Sequence, residues 1–349
     1  MKWIPASLAA LALLGVFGQA RAQGQLPCEG AVADGPSEAP PQLVWVDTDI
    51  GDDIDDAFAL GLILRSPELK VLGISTGFGD TETRARIVDH FLSAQWSPRI
   101  AAIQVTAGHP TKTNNVMTQA AYAKHWTSHK HGDAVTALLN QIRLHPGKIT
   151  LIAIGPLFNV GQAYDRNPAL FRKLCRVVMM GGSINRGYDG PNGERRPADA
   201  EWNINRDPHD AQKLFASGVP IYMLPLDSTQ LHLESTERTT IFAEKSPLTN
   251  QLLQLYSLWV QSSPSHWPTP TLFDPIAAAF TYRPDLCPTV EMHIEVDNQG
   301  FTRKSDGPPN AEVCLKDDED NLLLLIASRL EGRELKGFVR SGKDWTEVR

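Results

Sequence analysis

The chain has 349 residues, four cysteines and a formal net charge of −7. An acidic charge with no basic cluster argues against a nucleic-acid polymer as partner, and it leaves room for divalent cations. The length suits one large α/β unit.

In chain order, Lys2, the apolar run Leu8–Phe17 and the small-x-small triplet Ala20-Arg21-Ala22 follow the layout of a secretory signal peptide. The run is too short to span a bilayer as a mature helix, and no Leu-x-x-Cys pattern follows it. Residues 1–22 are therefore expected to be removed. The protein is expected to be exported, to the periplasm or the medium, with no membrane attachment after cleavage. Residues 23–42 are rich in Pro, Gly and Ala without periodicity and read as a flexible extension. A single domain is expected over 43–349.

From Leu43 the pattern alternates. Strands are expected at Leu43–Val46, Val71–Ser75, Ile100–Val105, Ile149–Ile154, Arg176–Met180 and Ile221–Leu226. Helices are expected at Asp55–Leu64, Glu82–Gln95, Asp133–Leu144, Pro168–Leu174 and Pro208–Ser217, then at Thr249–Val260 and Pro275–Thr281. A short β segment (Val290–Val296, Ala311–Leu315) and a helix Asp320–Leu330 close the chain. Strands such as ITLIAI and RVVMM are continuous apolar runs, the pattern of strands buried on both faces. The fold class is α/β: a single doubly wound domain, with a mostly parallel sheet and helices on both faces. Ligands in such folds bind beyond the carboxyl ends of strands.

Six aspartates fall in the ten residues Asp47–Asp56, directly after the first strand. Carboxylates this crowded repel unless a positive charge sits among them, and Ca²⁺ is a hard cation that prefers several carboxylates and carbonyls. The plainer alternative is a solvated acidic loop whose Asp55 or Asp56 caps the next helix. An EF-hand is excluded, since the sixth and twelfth residues from Asp47 are Asp52 and Phe58 instead of Gly and Glu. An Asp-x-Asp phosphatase resembles Asp47-Thr-Asp49, but Gly51 stands where that family has Thr or Val.

Cysteine spacing matches no zinc pattern. Cys175 is expected to be buried and inert, while Cys287 and Cys314 flank a strand pair that an oxidising compartment would allow to be bridged. His125 and His129 have i, i+4 spacing but lack the Glu of H-E-x-x-H, so a zinc site is not expected.

The segment DTDIGDDIDDAFAL resembles the N-terminal signature of the inosine-uridine-preferring nucleoside hydrolase family. Further likenesses follow in the family's order: Gly73–Asp80, Ile154-Gly-Pro-Leu-Phe-Asn159, Met180-Gly-Gly182, Ala200-Glu-Trp-Asn203 with Asp207-Pro208, and Phe273-Asp-Pro275. The resemblance runs from about Leu43 to Leu330. It implies a Ca²⁺ cofactor, a small-molecule nucleoside substrate, cleavage of ribonucleosides to ribose and free base, and a homo-oligomer.

The same resemblance implies residue roles. Asp49 and Asp56 would ligate Ca²⁺ with the backbone carbonyl of Phe158 and the carboxylate of Asp274, and Asp49 would be the general base on the attacking water. Asp55, Asp274 and Asn203 match contacts to the ribose 2′- and 3′-hydroxyls, and Glu201 a contact to the 5′-hydroxyl. Taken singly, Glu201, Asn203 and Asp274 also read as helix caps or loop hydrogen bonds.

This chain departs from the family pattern in four places. The acidic run is two residues longer than the commonest form, so Asp52 and Asp53 compete with Asp55 and Asp56. Asp80 stands where Asn is usual, in a ribose-contacting segment. Phe158 replaces Thr, and Phe273 stands where some members have an acid histidine. An aromatic there suits stacking on a purine, with Trp267 or Trp126 as further candidates; His131-Gly-Asp133 resembles a segment near the family's base pocket. A non-catalytic nucleoside- or ribose-binding protein of the same fold is the alternative from a different functional class.

Overall fold

A computed structural model describes residues 40–95, 97–126, 130–190, 193–262, 268–333, 338–341 and 344–347. The expected signal peptide, nearly all of the extension 23–42, Cys28, His129 and Trp267 lie outside the described residues.

The strands are β1 (Gln42–Thr48), β2 (Leu69–Thr76), β3 (Gln104–Ala107), β4 (Gly132–Asp133), β5 (Ile149–Ile154), β6 (Arg176–Met180), β7 (Ile221–Leu224), β8 (Thr289–Val296), β9 (Thr302–Ser305) and β10 (Ala311–Cys314). They form one sheet in the order β4-β3-β2-β1-β5-β6-β7-β10-β8-β9. Pairing is parallel from β4 through to β10 and antiparallel at β10/β8 and β8/β9. The α/β class with a mostly parallel sheet is therefore observed, with a mixed edge. A separate hairpin pairs Phe338–Ser341 with Asp344–Glu347.

Why the strands are apolar throughout is visible in their alternation. Val44, Val46, Ile152, Ile154, Val178 and Met180 enter one core, while Trp45, Leu151, Ala153, Val177 and Met179 enter the other. The first core is closed by the helices Asp55–Arg65, Thr81–Ser93, Pro247–Ser262, Phe273–Phe280 and Glu319–Leu330. The second is closed by Ala134–Leu144, Phe158–Arg166 and Pro208–Phe215. A strand that packs helices on both faces has no solvent side to make polar. No helix among the described residues is long and apolar enough to cross a membrane.

One expected strand is wrong in place. Over Ile100–Val105 the chain first forms the helix Pro98–Ala101, with Ser97 Oγ accepting the Ile100 N–H at 3.3 Å and Pro98 in the first turn. Strand β3 starts only at Gln104. The Ser-Pro pair is a helix-start signal that outweighed the apolar run. The Cys287–Cys314 bridge is present. Cys175 is buried as expected and is also disulfide-bonded.

The topology fixes where a ligand can sit. From β1 the chain steps outward to β2, β3 and β4, then returns to β5 on the other side of β1 and continues to β6 and β7. The carboxyl ends of β1 and β5 thus flank the switch point, the usual crevice of a doubly wound sheet.

Candidate active site

The acidic loop leaves β1 directly into this crevice. Its backbone turns at Gly51, whose φ of +125° is a conformation that side chains disfavour. On the β5 side, a Cβ at Gly155 would lie 2.8 Å from the Asp49 nitrogen, so glycine lets the two strand ends close on each other.

Behind the loop, Asp47 is a structural acid. Its carboxylate accepts hydrogen bonds from Ser75 Oγ and from Asn159 Nδ2 at 2.7 Å, and Ser75 Oγ accepts from Trp45 Nε1 at 2.9 Å. Burial pushes the Asp47 carboxyl up to about 6, against these two donors.

In front of it lies a cavity of about 380 Å³ lined by Asp49, Asp55, Asp56, Asp274, Glu201 and Asn203, with Tyr188, Trp202, Trp259 and Phe273 among its other walls. Asp55 and Asp56 open one helix and Asp274 another, and oxygens of all three lie within 4.8 Å of one another. Thr48 Oγ1 donates to Asp56, and the Asp274 N–H donates to Asp55 Oδ2 at 3.4 Å. Burial first, then mutual repulsion, holds Asp55, Asp56 and Asp274 well above the ordinary carboxylate range. Burial raises Asp49 to about 7 against the pull of the Arg84 charge. Four buried carboxyls with too little positive charge among them are the donor set of a hard cation. The residues present fit Ca²⁺ on that ground.

The sequence left Asp52 and Asp53 in competition with Asp55 and Asp56. The structure brings Asp55 and Asp56 to Asp274. Asp52 instead pairs with Arg84 at 2.8 Å and accepts from Asn115 Nδ2 at 2.5 Å. Asp53 is exposed, its Oδ1 accepting the Ile54 N–H at 2.7 Å.

Glu201 and Asn203 both reach the cavity, and Glu201 is at the same time the cap of the helix Trp202–Arg206. Its Oε1 accepts from Asn203 N at 2.9 Å, and its Oε2 from Gly182 N at 2.8 Å and Ile204 N at 3.2 Å. Burial nevertheless raises its carboxyl to about 7. Asn203 is aimed by Nδ2 donating to the Met180 carbonyl at 3.2 Å. Phe273 lines the cavity with Tyr188 edge-on to it, ring centroids 6.0 Å apart.

Three expected side chains, Asp80, Trp126 and His131, are not walls of this cavity. Asp80 is exposed and caps the helix Thr81–Ser93, accepting from Thr83 N at 3.0 Å, and it lines a neighbouring cleft instead of the cavity. The Phe158 side chain faces that cleft too, stacked on Phe78 at 6.3 Å, while the role expected of Phe158 belongs to its backbone carbonyl. Trp126 stacks on His90 at 4.7 Å and is not a cavity wall. His131 is sealed between Glu82 (2.8 Å) and Asp89 (2.9 Å), both of its ring nitrogens spent.

Three residues escaped the sequence reading. Arg84 is 1% exposed, donating from Nε to the Phe78 carbonyl at 2.7 Å and from its terminal nitrogens to the Asp49 and Ile50 carbonyls and to Asp52. Trp202 lines the cavity with Asp49 and opposes the burial that raises its carboxyl. Tyr188 accepts the Trp202 N–H at 2.9 Å. For Trp202 the only local signal was an aromatic between the two polar residues Glu201 and Asn203; a single arginine or tyrosine in a polar stretch carries none.

A sequence profile described as "inosine-uridine preferring nucleoside hydrolase" matches residues 44–323. The pyrimidine-specific ribonucleoside hydrolase RihA of Shigella boydii is 27% identical over 303 residues, covering 79% of this chain and 95% of the relative. RihA of Salmonella agona is 29% identical over 313 residues, covering 82% and 98%. Among solved structures, a plant nucleoside hydrolase superposes with a TM-score of 0.70 at 22% identity, covering 84% of this chain and 99% of that one. A purine-preferring ribonucleoside hydrolase from Gardnerella vaginalis superposes at 0.68 and 22% identity, covering 83% and 98%. These two likenesses bear on the fold.

Proposed function

The chain belongs to the inosine-uridine preferring nucleoside hydrolase family and is a ribonucleoside hydrolase; from that premise we propose that it is Ca²⁺-dependent, with Asp49 as the general base and a preference for purine nucleosides. The observation that carries this reading is the buried Asp55–Asp56–Asp274 cluster at the sheet's switch point, with Asp49 in the same cavity.

Asp49, Asp56, Asp274 and the backbone carbonyl of Phe158 would hold the cation. When bound, Ca²⁺ supplies charge that keeps these carboxylates ionised and polarises a water. Asp49 takes the proton of the attacking water on a carboxylate oxygen. Asp55, Asp274 and Asn203 orient the ribose through its 2′- and 3′-hydroxyls, with Glu201 at the 5′ end. Glycosidic cleavage passes through an oxocarbenium-like sugar, and a cavity walled by carboxylates favours positive charge on that ring. Trp202, Trp259 and Tyr188 give this cavity aromatic walls.

For the base, no histidine is among the described residues lining the cavity, whereas Phe273 presents an aromatic wall. A purine offers the larger face for stacking there. A pyrimidine preference is the second reading, favoured by the names of the RihA relatives. Release of reducing ribose from inosine, adenosine, guanosine, uridine and cytidine ranks the two. Faster turnover of inosine and adenosine supports the first, and turnover confined to uridine and cytidine supports the second. No release from any of the five would point to a binding protein.

We further propose export of the protein. The amino-terminal sequence pattern motivates it, and the Cys287–Cys314 bridge and the bonded Cys175 fit an oxidising compartment. Detection of the protein in the periplasm or medium, with residues 1–22 absent by mass spectrometry, tests this; an intact leader on a cytosolic protein would refute it.

A further inference from the structure

A single amide ties together three of the chain ends that meet at the crevice. Asn159 is 1% exposed, in the first turn of the helix Phe158–Arg166 that follows β5. Its Nδ2 donates to Asp47 Oδ1 at 2.7 Å, near the end of β1, and to the Thr76 carbonyl at 3.2 Å, at the end of β2. Both partners are acceptors, which fixes the amide with its nitrogen toward them. The neighbouring strand ends close on the same point: Gly77 N donates to the Thr48 carbonyl at 3.0 Å, and Gly108 N to the Thr76 carbonyl at 2.8 Å.

The oxygen of this amide is held just as tightly. A Cβ on Gly108 would lie 2.0 Å from Asn159 Oδ1, so the oxygen rests directly against that glycine. Oδ1 is buried and has no hydrogen-bond partner among the described residues. An unpaired buried acceptor is costly, and native proteins carry few. What the amide supplies against that cost is its two donor bonds, and both ends of this clamp lead to proposed ligands of the cation. Asp49 follows Asp47 by two residues, and the Phe158 carbonyl belongs to the peptide group that joins Phe158 to Asn159. Asn159 itself is not a wall of the cavity.

We propose that Asn159 is a positioning residue for Ca²⁺: its amide fixes the end of β1 against the start of the helix Phe158–Arg166, and so sets the affinity of the site without touching the cation. This rests on the Ca²⁺ reading above. Partners that orient metal ligands from behind typically set about 10- to 100-fold of the affinity, because a ligand set already in place gives up less to ordering when the ion binds.

The test is calorimetric Ca²⁺ titration of the purified protein and its variants. Asn159→Leu removes both donors and the unpaired oxygen at similar volume. Val160→Ala, at the next position of the same helix and 1% exposed, takes volume from the core and leaves the clamp in place. The expected result is Ca²⁺ binding about 10- to 100-fold weaker in Asn159→Leu, while Val160→Ala lowers the Tm and keeps its Ca²⁺ affinity within about twofold of wild type. Asn159→Ser, which keeps one donor, serves if the leucine variant does not fold, and a loss of about tenfold is expected there. A folded Asn159 variant that binds Ca²⁺ like the wild type overturns the proposal. So does an equal loss of affinity in Val160→Ala, which would make the effect one of general stability. A wild type that binds no Ca²⁺ overturns the calcium reading together with this inference, whereas wild-type binding that is unchanged in the Asn159 variants overturns this inference alone.

Discussion

The guanidinium of Arg84 lies 2.8 Å from the Asp52 carboxylate and at the same time donates to the backbone carbonyls of Asp49 and Ile50. One buried side chain from the helix Thr81–Ser93 thus gathers the start of the acidic loop and sets a positive charge behind it. Removing it takes the side-chain donor from the Asp49 and Ile50 carbonyls and the countercharge from the Asp52 carboxylate. Arg84→Met is expected to cost about 3–5 kcal/mol of stability, the scale for breaking a buried charge network. A urea denaturation curve checks this; a loss under about 1 kcal/mol, the value of a surface pair, would show that Arg84 is not holding the loop.

Gly155 gives a test of position against stability. An added Cβ would fall 2.8 Å from Asp49 N and 2.9 Å from Asp49 Oδ1. Gly155→Ala is expected to push Asp49, the proposed general base, out of line and lower kcat/KM by about 100-fold, the penalty for roughly ångström misplacement. Steady-state kinetics beside a melting curve decide it: a folded variant with wild-type turnover would mean that Asp49 tolerates displacement.

His131 has its own pH signature. Burial alone would lower its pKa, but hydrogen bonds and charge from Asp89 and Glu82 raise it above 6.5 in the folded protein. A raised folded pKa means stability fully present below the unfolded pKa of about 6.5 and lost as pH rises through the folded value. The Tm gap between the wild type and His131→Gln is expected to be largest at pH 6 and to shrink in alkaline buffer. A gap that widens with pH would reverse the assignment of the imidazolium.

The Cys287–Cys314 bridge closes a separation of 27 residues between the helical region and β10. Replacing both cysteines by serine is expected to cost about 2–4 kcal/mol, chiefly by loosening the unfolded chain. Denaturation midpoints check this, and equal midpoints would indicate that the bridge contributes nothing to folding.

Much of the fold was legible because its signals are local. ITLIAI and RVVMM gave β5 and β6 with their observed ends, since short, mostly apolar runs rich in β-branched residues and bounded by turn signals favour a buried strand over a helix. The helix Phe158–Arg166 was missed, because its moderate apolar content packs through Asn159, Val160 and Gly161 against partners distant in sequence. In the site, the acidic run announced itself by composition, whereas the meeting of Asp55 and Asp56 with Asp274 spans more than 200 residues and follows from helix placement. Arg84 and Tyr188 are single residues whose weight lies in burial and hydrogen bonds, which no spacing rule exposes. Asp80 shows the converse: a plausible site acid by position that serves as a helix cap.

The most direct measurement is ribose release by the purified protein with Ca²⁺, with a chelator, and in Asp49→Ala, alongside calorimetric Ca²⁺ binding. The account predicts turnover that chelation abolishes and Ca²⁺ restores, and that falls by at least about 100-fold in a folded Asp49→Ala protein, as expected for loss of a general base. Undiminished turnover in the chelator, or in Asp49→Ala, would contradict it.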